Sequence, residues 1–396
     1  MFQRLKQEQP GALEKVTAIA GDLSQPGLGL SESDRDTLVN NVSVVFHSGA
    51  TVNFDEPLRN AFELNVLGTR RLLEICRQMP NICALVHVST AYCNCDKSDA
   101  DEVINPPSEN ILNFFQDYAA STVTGSTATK KECLFGHPNT YTLTKNIAES
   151  LLLEERGKVP VVIVRPSIVT AALSEPVPIK TIYVFWTCMY RPTSVKVYHC
   201  ASGTLQQYKW ADLADAMQKA ILRHPLPNIA YYPKFAVTNS YLWHNINLYC
   251  FRYLPAHAAD LGLMLIGREP RFVQRYKRAR KAMDVAQYFM TRGWLFRTNN
   301  ILFNTDVRSF EWYAYWDLYL LGIRKYLFKA ECSDLPKDGS RLNRLYVLRL
   351  STQGMLLALA CLLLTTKTAW NLGSTVVTLS LKTCELLLDR LGLQPR

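Results

Sequence analysis

Apolar residues follow two rhythms along the first 170 positions. Short, nearly continuous β-branched runs occur at Lys15–Gly21 (KVTAIAG), Val42–His47 (VSVVFH), Ile82–Val88 (ICALVHV) and Pro160–Arg165 (PVVIVR). Their length and composition suit parallel strands covered on both faces. Between them lie segments with helical spacing: SESDRDTLVNN from Ser31, PLRNAFELNVLGTRRLLEICRQ from Pro57 and YTLTKNIAESLLLEER from Tyr141. Ser31, with Asp34 close behind it, is placed to cap the first. Pro57 suits a first helical position, where its missing N–H would have no partner anyway. Strand and helix in alternation predict an α/β fold built on a doubly wound parallel sheet.

Ligands of such sheets lie beyond the carboxyl ends of the strands. The residues that follow the four runs are Asp22, Ser48 to Thr51, Ser89 with Thr90, and Pro166 to Ile168. Each group is small, polar or open at its backbone, and each also has the composition of a cap or a turn.

The stretch HPNTYTLTKNIAES (His137–Ser150) sets Tyr141 and Lys145 four residues apart, on one face of the third helix. An ammonium nearby favours phenolate, so Lys145 is expected to lower the Tyr141 pKa from about 10. Tyr141 would then be a general acid for a carbonyl oxygen whose carbon receives a hydride. Ser89 or Thr90 would donate to the developing oxyanion, and Lys145 would be free to hold a cofactor ribose. With 19 tyrosines in the chain, about one Tyr-x-x-x-Lys arises by chance. A first-turn surface tyrosine and a solvated lysine have the same spacing.

A chain of 396 residues that is 48% hydrophobic suits two or three domains with real cores. Its net charge of +10 implies an anionic partner: a phosphorylated small molecule, a membrane surface or nucleic acid. Eleven scattered cysteines, an odd number behind an N-terminus without an apolar signal, predict a reduced, cytosol-facing protein. No metal site is expected, since the sequence has neither a Cys-x-x-Cys nor a close histidine pair. Cys93 and Cys95 follow a strand, but a thiol-based acyl transfer needs an activated thiolate, and no basic group is evidently placed beside either.

GDL (Gly21–Leu23), HSGATVNF (His47–Phe54), NVLGTRRLLE (Asn65–Glu74), VHVSTAY (Val86–Tyr92), YTLTK and VVIVRPSIV succeed one another in an order that resembles the extended short-chain dehydrogenase/reductases. The chain resembles most specifically the alcohol-forming fatty acyl-CoA reductases. HNINLYCFRYLPAHAADLGLMLIGREP (His244–Pro270) and LGIRKYLFKAE (Leu321–Glu331) look like that family's helical C-terminal domain. The resemblance implies a Rossmann-like NAD(P)-binding domain over 1–232, a helical domain over 233–335 and a membrane-anchoring segment over 336–396. It implies NADPH as cofactor and a long-chain fatty acyl-CoA as substrate, reduced to the alcohol through an aldehyde. By resemblance Tyr141 is the acid, Lys145 its partner, and Thr90 with Ser89 the hydroxyl helpers. Asp22 and Leu23 would meet the adenine, Ser48, Gly49 and Ala50 the adenosine side, and Pro166, Ser167 and Ile168 the nicotinamide. Asn65 would supply a helix-stabilising amide.

Two features depart from the family pattern. No three glycines have the Gly-x-x-Gly-x-x-Gly spacing that holds a pyrophosphate at a helix N-terminus, and the chain opens just before what resembles the family's third strand. After SEPVPIKTIYVFW (Ser174–Trp186) it passes quickly to VYHCASGT, which looks like a later family segment. The expectation is therefore a truncated sheet and a curtailed substrate lid, as in a partial gene model or a splice form. The alternative to an active reductase is a catalytically inactive, membrane-associated relative. A dehydrogenase acting on sterols or nucleotide sugars shares Tyr141 and Lys145 but does not predict LGIRKYL.

Leu350 to Thr366 carries no charge between Arg349 and Lys367 and as a helix is about 25 Å long, near a bilayer's thickness once flanking cations snorkel. With Lys337, Arg341, Arg344 and Arg349 before it, a C-terminal anchor with cytosolic catalytic domains is expected, on the peroxisomal or endoplasmic reticulum membrane by resemblance. Leu242–Ile266 is apolar but broken by His244, Arg252, Pro255, His257 and Asp260, so it is expected to lie on a membrane rather than span it. The REPRFVQRYKRARK that follows would meet anionic lipid headgroups, or else CoA phosphates. No nucleic-acid-binding signature accompanies the charge, and the sequence specifies no oligomeric state.

Overall fold

The computed structural model describes residues 3–111, 134–169, 194–201, 209–229, 231–235, 240–299 and 311–355, with 358, 362 and 365. Ser174–Trp186 and half of the apolar run from 351 to 366 lie outside the described residues. The chain forms two compact units, Met1–Tyr208 with Arg278–Phe310, and Lys209–Lys277 with Glu311–Arg396.

In the first unit, strands β1 (Val44–His47), β2 (Ala84–Val88), β4 (Val161–Pro166) and β5 (Lys196–Cys200) make one sheet in the order β1-β2-β4-β5. Every pairing is parallel, with His47 level with His87 and Val88 level with Val164. Between β2 and β4 a short strand β3 (Asp99–Ala100) pairs with β6 (Leu295–Phe296) in a second small sheet. Leu85, Val161, Ile163 and Val197 point to one side and share a core with the helices; Ala84, Val86, Val162, Val164 and Tyr198 point to the other. Both sets are buried, which explains the near-continuous apolar runs. Four helices of this unit pack on the first side, while a short exposed helix, Gln3–Glu8, does not.

Those four helices are α1 (Glu32–Asn41), α2 (Leu58–Phe62), α3 (Gly68–Cys76) and α4 (Thr140–Glu155). The Ser31 side chain accepts from the Asp34 amide at 3.1 Å and so caps α1. The helix expected from Pro57 forms, but a π turn at Glu63–Leu67 joins α2 to α3. Asn139 caps α4 by accepting from the Thr142 amide at 2.9 Å.

One expected strand does not form. Lys15 ends a 3-10 turn and 16–21 form no strand and are mostly exposed, because a strand persists only where a neighbour takes its backbone groups, and β1 pairs with β2 alone among the described strands. Conversely, β5 was not among the expected strands.

In the second unit, α5 (Trp210–Arg223) packs against α9 (Trp312–Gly322), with Arg223 reaching Asp317 at 3.1 Å. Helices α6 (Tyr241–Leu248) and α7 (Leu254–Leu265) lie between them in sequence, and α8 (Phe272–Met290) begins in this unit and continues into the first from Arg278. Arg324 is buried beside Asp338 at 2.7 Å and the Glu331 carbonyl at 3.0 Å. Among the described residues no helix is long and apolar enough to cross a membrane.

Candidate active site

Parallel pairing puts the carboxyl ends of β1, β2 and β4 side by side, and the residues after them converge there. Ser89 and Thr90 follow β2 and are buried. The Ser89 amide bonds to the Val164 carbonyl at 2.7 Å, tying them to β4, where Pro166 closes the strand. Ser167 continues that edge through its amide to the Cys200 carbonyl at 3.2 Å, and Ile168 is exposed. Thr90 Oγ1 accepts from the Tyr92 amide at 3.3 Å. Ser89 Oγ is buried with no hydrogen-bond partner among the described residues.

Helix α4 leans over this edge. Lys145 is 2% exposed and its Nζ donates to the Val88 carbonyl, the last of β2, at 2.8 Å. Tyr141, one turn earlier, lies with its ring 5.6 Å from that of Phe54, beyond β1. Both side chains of the pair therefore face the carboxyl ends of the sheet.

Asn65 explains the π turn. It is fully buried; its Oδ1 accepts from the Thr51 amide at 2.9 Å, and its Nδ2 donates to Thr144 Oγ1 at 3.0 Å and to the Thr51 carbonyl at 3.3 Å. One amide thus ties the loop after β1 to α4, and π turns recur where a helix must aim a side chain this way. Asn65→Ala leaves these groups unpaired and is expected to cost about 1–3 kcal/mol, read as a shift in the chemical denaturation midpoint.

The GDL turn reaches the same side. Leu23 sits against two glycines: a Cβ on Gly49 would come within 2.7 Å of Leu23 Cδ1, and one on Gly68 within 3.1 Å of Leu23 Cβ. Asp22, Leu23 and Ser48 to Ala50 are thereby brought together. Asp22 accepts from the Ser24 amide at 2.8 Å and hydroxyl at 2.7 Å, which hold its carboxyl below the usual range.

The electrostatics differ from expectation in one respect. The Tyr141 pKa is not lowered: burial raises it, and Cys93 adds to the rise. The Lys145 ammonium is instead engaged by the Val88 carbonyl. Burial depresses Lys145 itself to about 8, against the opposing pull of Glu149 and Cys93. Burial, then Lys145, takes His47 down to about 4. His87, its ring 5.1 Å from that of His47, is also depressed by burial, Lys145 and His47, and neither ring nitrogen has a partner among the described residues. Burial pushes the Cys93 thiol up and Cys95 to about 11, the reverse of what an attacking thiolate needs.

The sequence did not reveal an aromatic wall beside Tyr141. Phe289 lies 5.9 Å from Phe54 and 4.9 Å from Tyr92, and Tyr92 meets Trp294 and Phe296 edge-on at 5.3 and 5.4 Å. Residues 278–310 return to the first unit, and no local pattern announces a return from so far along the chain. The second missed element is an ion pair. Arg165 of β4 and Glu149 of α4, both fully buried, meet at 2.9 Å (Nε–Oε1) and 2.5 Å (Nη2–Oε2).

The family model described as male sterility protein, an NAD-binding domain, matches residues 1–221, and a second of the same description matches 251–330. Fatty acyl-CoA reductase 1 of Homo sapiens is 30% identical over 410 residues, covering 88% of this chain and 78% of that protein. This chain belongs to the fatty acyl-CoA reductase family. Fatty acyl-CoA reductase 2 of Mus musculus is 32% identical over 407 residues, with 87% and 78% covered. The terminal R domain of the myxalamid pathway is 18% identical at a TM-score of 0.47, covering 81% of this chain and 78% of that one, a likeness too loose to bear on the fold. As a reductase of this family the chain is an oxidoreductase, and residues 1–221 match a domain that binds a nicotinamide cofactor.

Proposed function

We propose that this reductase converts a long-chain fatty acyl-CoA to the alcohol with NADPH, through an aldehyde, at the crevice lined by Ser89, Thr90, Tyr141 and Lys145. The observation that carries the reading is the Lys145 bond to the last carbonyl of β2, which aims the face of α4 bearing Tyr141 at the strand ends. The residues present fit the nicotinamide half of a cofactor: Ser89 Oγ is a buried donor without a partner among the described residues, and Lys145 is a buried cation beside it. Lys145 would hold the nicotinamide ribose, Pro166 to Ile168 the nicotinamide, and Asp22, Leu23 and Ser48 to Ala50 the adenosine end.

When bound, NADPH supplies the hydride. In the first reduction Ser89 and Thr90 donate to the oxyanion of the tetrahedral adduct until the thiolate of CoA leaves. In the second, Tyr141 delivers its phenolic proton to the alkoxide oxygen. Its raised pKa keeps that proton in place at neutral pH, and the Phe54 ring packs beside it.

The Lys145 charge makes a pH prediction in which activity and stability move in opposite directions. With a pKa of about 8, the ammonium is present below that value and lost above it. kcat/KM for NADPH, which reports the free enzyme, is expected to be level below pH 8 and to fall about tenfold per unit above it. The unfolded chain holds the lysine proton up to about 10.5, so between about 8 and 10.5 it binds more protons than the folded chain, and the stability cost of burying this charge fades as pH rises. A profile of kcat/KM without a descending limb near 8 contradicts the role given to Lys145.

The family test is direct. The full chain, given long-chain acyl-CoA and NADPH in membranes, is expected to yield fatty alcohol; absence of both alcohol and aldehyde places it among inactive relatives. A C-terminal anchor on the peroxisomal or endoplasmic reticulum membrane, with the catalytic unit in the cytosol, is part of the same proposal. It is supported by the uncharged run from Leu350 to Thr366 behind four cations.

A further inference from the structure

Residues 241–265 run as one helix, α6 joined to α7 by a π turn at Tyr249–Tyr253, and part of this helix is turned inside out. Leu242, Ile246, Tyr249, Leu254, Leu261 and Leu265 are all exposed, from 37% at Ile246 to 80% at Leu265, whereas Asp260 is 4% exposed. The outward positions step by four, three, five, seven and four; three, four and seven keep the helical rhythm, and only the five-residue step from Tyr249 to Leu254 departs from it. That step coincides with the π turn, where the Leu254 amide reaches back to the Tyr249 carbonyl. A helix advances about 100° per residue, so without the extra residue the two halves of the stripe would point in different directions. The π turn keeps them in line.

Asp260 has a use on the inner side. Its Oδ1 accepts from the Arg271 and Phe272 amides and its Oδ2 from the Val273 amide, each at 2.9 Å. These are N–H groups that the start of α8 would otherwise leave unpaired. The turn from Ile266 to Pro270 is fixed between the two helices, with Gly267 at φ 72° and the Arg268 amide on the Leu263 carbonyl at 2.8 Å. Its tip presents Met264, Leu265 and Ile266 beside Arg268 and Arg271, all exposed, with Glu269 the one acidic residue of the turn.

We infer that this helix and its turn lie in the plane of an anionic bilayer, the stripe at the boundary of headgroups and acyl chains, and Arg268 and Arg271 on lipid phosphates. The stripe is a single line about 35 Å long at 1.5 Å per residue, the shape of an interfacial helix rather than of a compact protein patch. Cations at its end match anionic headgroups in charge. Asp260 and Arg252 within the run exclude spanning. The inference is independent of the catalytic reading.

Hydrogen exchange of the full chain tests it. Amides 261–272 are expected to exchange more slowly on phosphatidylcholine vesicles containing phosphatidylserine than on phosphatidylcholine alone. Each arginine at an anionic surface contributes about fivefold, so Arg268→Gln with Arg271→Gln is expected to weaken the anionic-lipid protection roughly 20-fold. Leu261→Asp with Leu265→Asp, exposed positions that leave the fold intact, is expected to abolish it. Equal exchange with and without vesicles overturns the proposal. So does protection that grows with protein concentration in the absence of lipid, which would make the stripe a contact between copies of the chain. Fatty alcohol formation is assayed separately and leaves this outcome untouched.

Discussion

Tyr141→Phe is expected to lower fatty alcohol formation by about 10²- to 10⁴-fold, the range that general acid catalysis contributes, while leaving the thermal unfolding midpoint nearly unchanged. The reason lies in what the phenol does in the folded chain. Its ring packs on Phe54, a contact phenylalanine keeps, and its hydroxyl has no hydrogen-bond partner among the described residues. Removing the oxygen therefore costs little stability and takes away a proton donor. Two departures would be informative: a large loss of stability would give Tyr141 a structural role, and unchanged turnover would remove it from the chemistry. Because Lys145 does not lower the Tyr141 pKa in the structure described here, the account rests on position, with the phenol kept protonated by burial.

The second large effect falls on the buried ion pair. Glu149→Ala is expected to destabilise the chain by about 3–5 kcal/mol, because it leaves the Arg165 guanidinium buried without its hydrogen-bonded counter-charge, with only the buried Glu102 carboxylate acting on it at longer range. Arg165 has other partners, the carbonyls of Asp101 at 3.3 Å and Val103 at 2.9 Å and His199 Nε2 at 3.3 Å, but none carries a formal negative charge. Glu149 also lies one turn beyond Lys145 on the same face of α4, and Arg165 immediately precedes Pro166. The pair thus locks the helix that carries Tyr141 to the strand that ends at Pro166. Equilibrium denaturation of Glu149→Ala, Arg165→Met and the pair Glu149→Ala/Arg165→Met checks this. The double variant is expected to lose less than the sum of the single losses, and strict additivity would contradict a direct pair.

What the sequence made legible follows local physics. The runs that became β1, β2 and β4 were readable because strands covered on both faces need continuous apolar residues, and the Ser31 cap because its bond spans three positions. Lys15–Gly21 has the same composition and forms no strand, since composition cannot report whether a neighbour is there to pair. β5 was missed because it carries Lys196 and His199; His199 is buried only because its Nδ1 meets the Arg297 carbonyl at 2.7 Å and its amide the Glu102 carboxylate at 2.7 Å. At the site, the approach of Lys145 to the last carbonyl of β2 agrees with a helix face turned toward the strand ends. Phe289 and Trp294 were not legible, because they return from far along the chain, and neither was the Glu149–Arg165 pair, which forms only once helix and strand are packed. The electrostatic sign at Tyr141 was misread for the same reason: spacing places two groups on one face but says nothing of the carbonyl that takes the ammonium.

The most direct test of the whole account gives the full chain a long-chain acyl-CoA and NADPH deuterated at the transferable position, with Tyr141→Phe in parallel, and reads the products by mass spectrometry. The account predicts fatty alcohol carrying two deuterium atoms on its hydroxyl-bearing carbon, at a rate that collapses in the variant. Alcohol formed as fast by the variant, or bearing no deuterium, would contradict it.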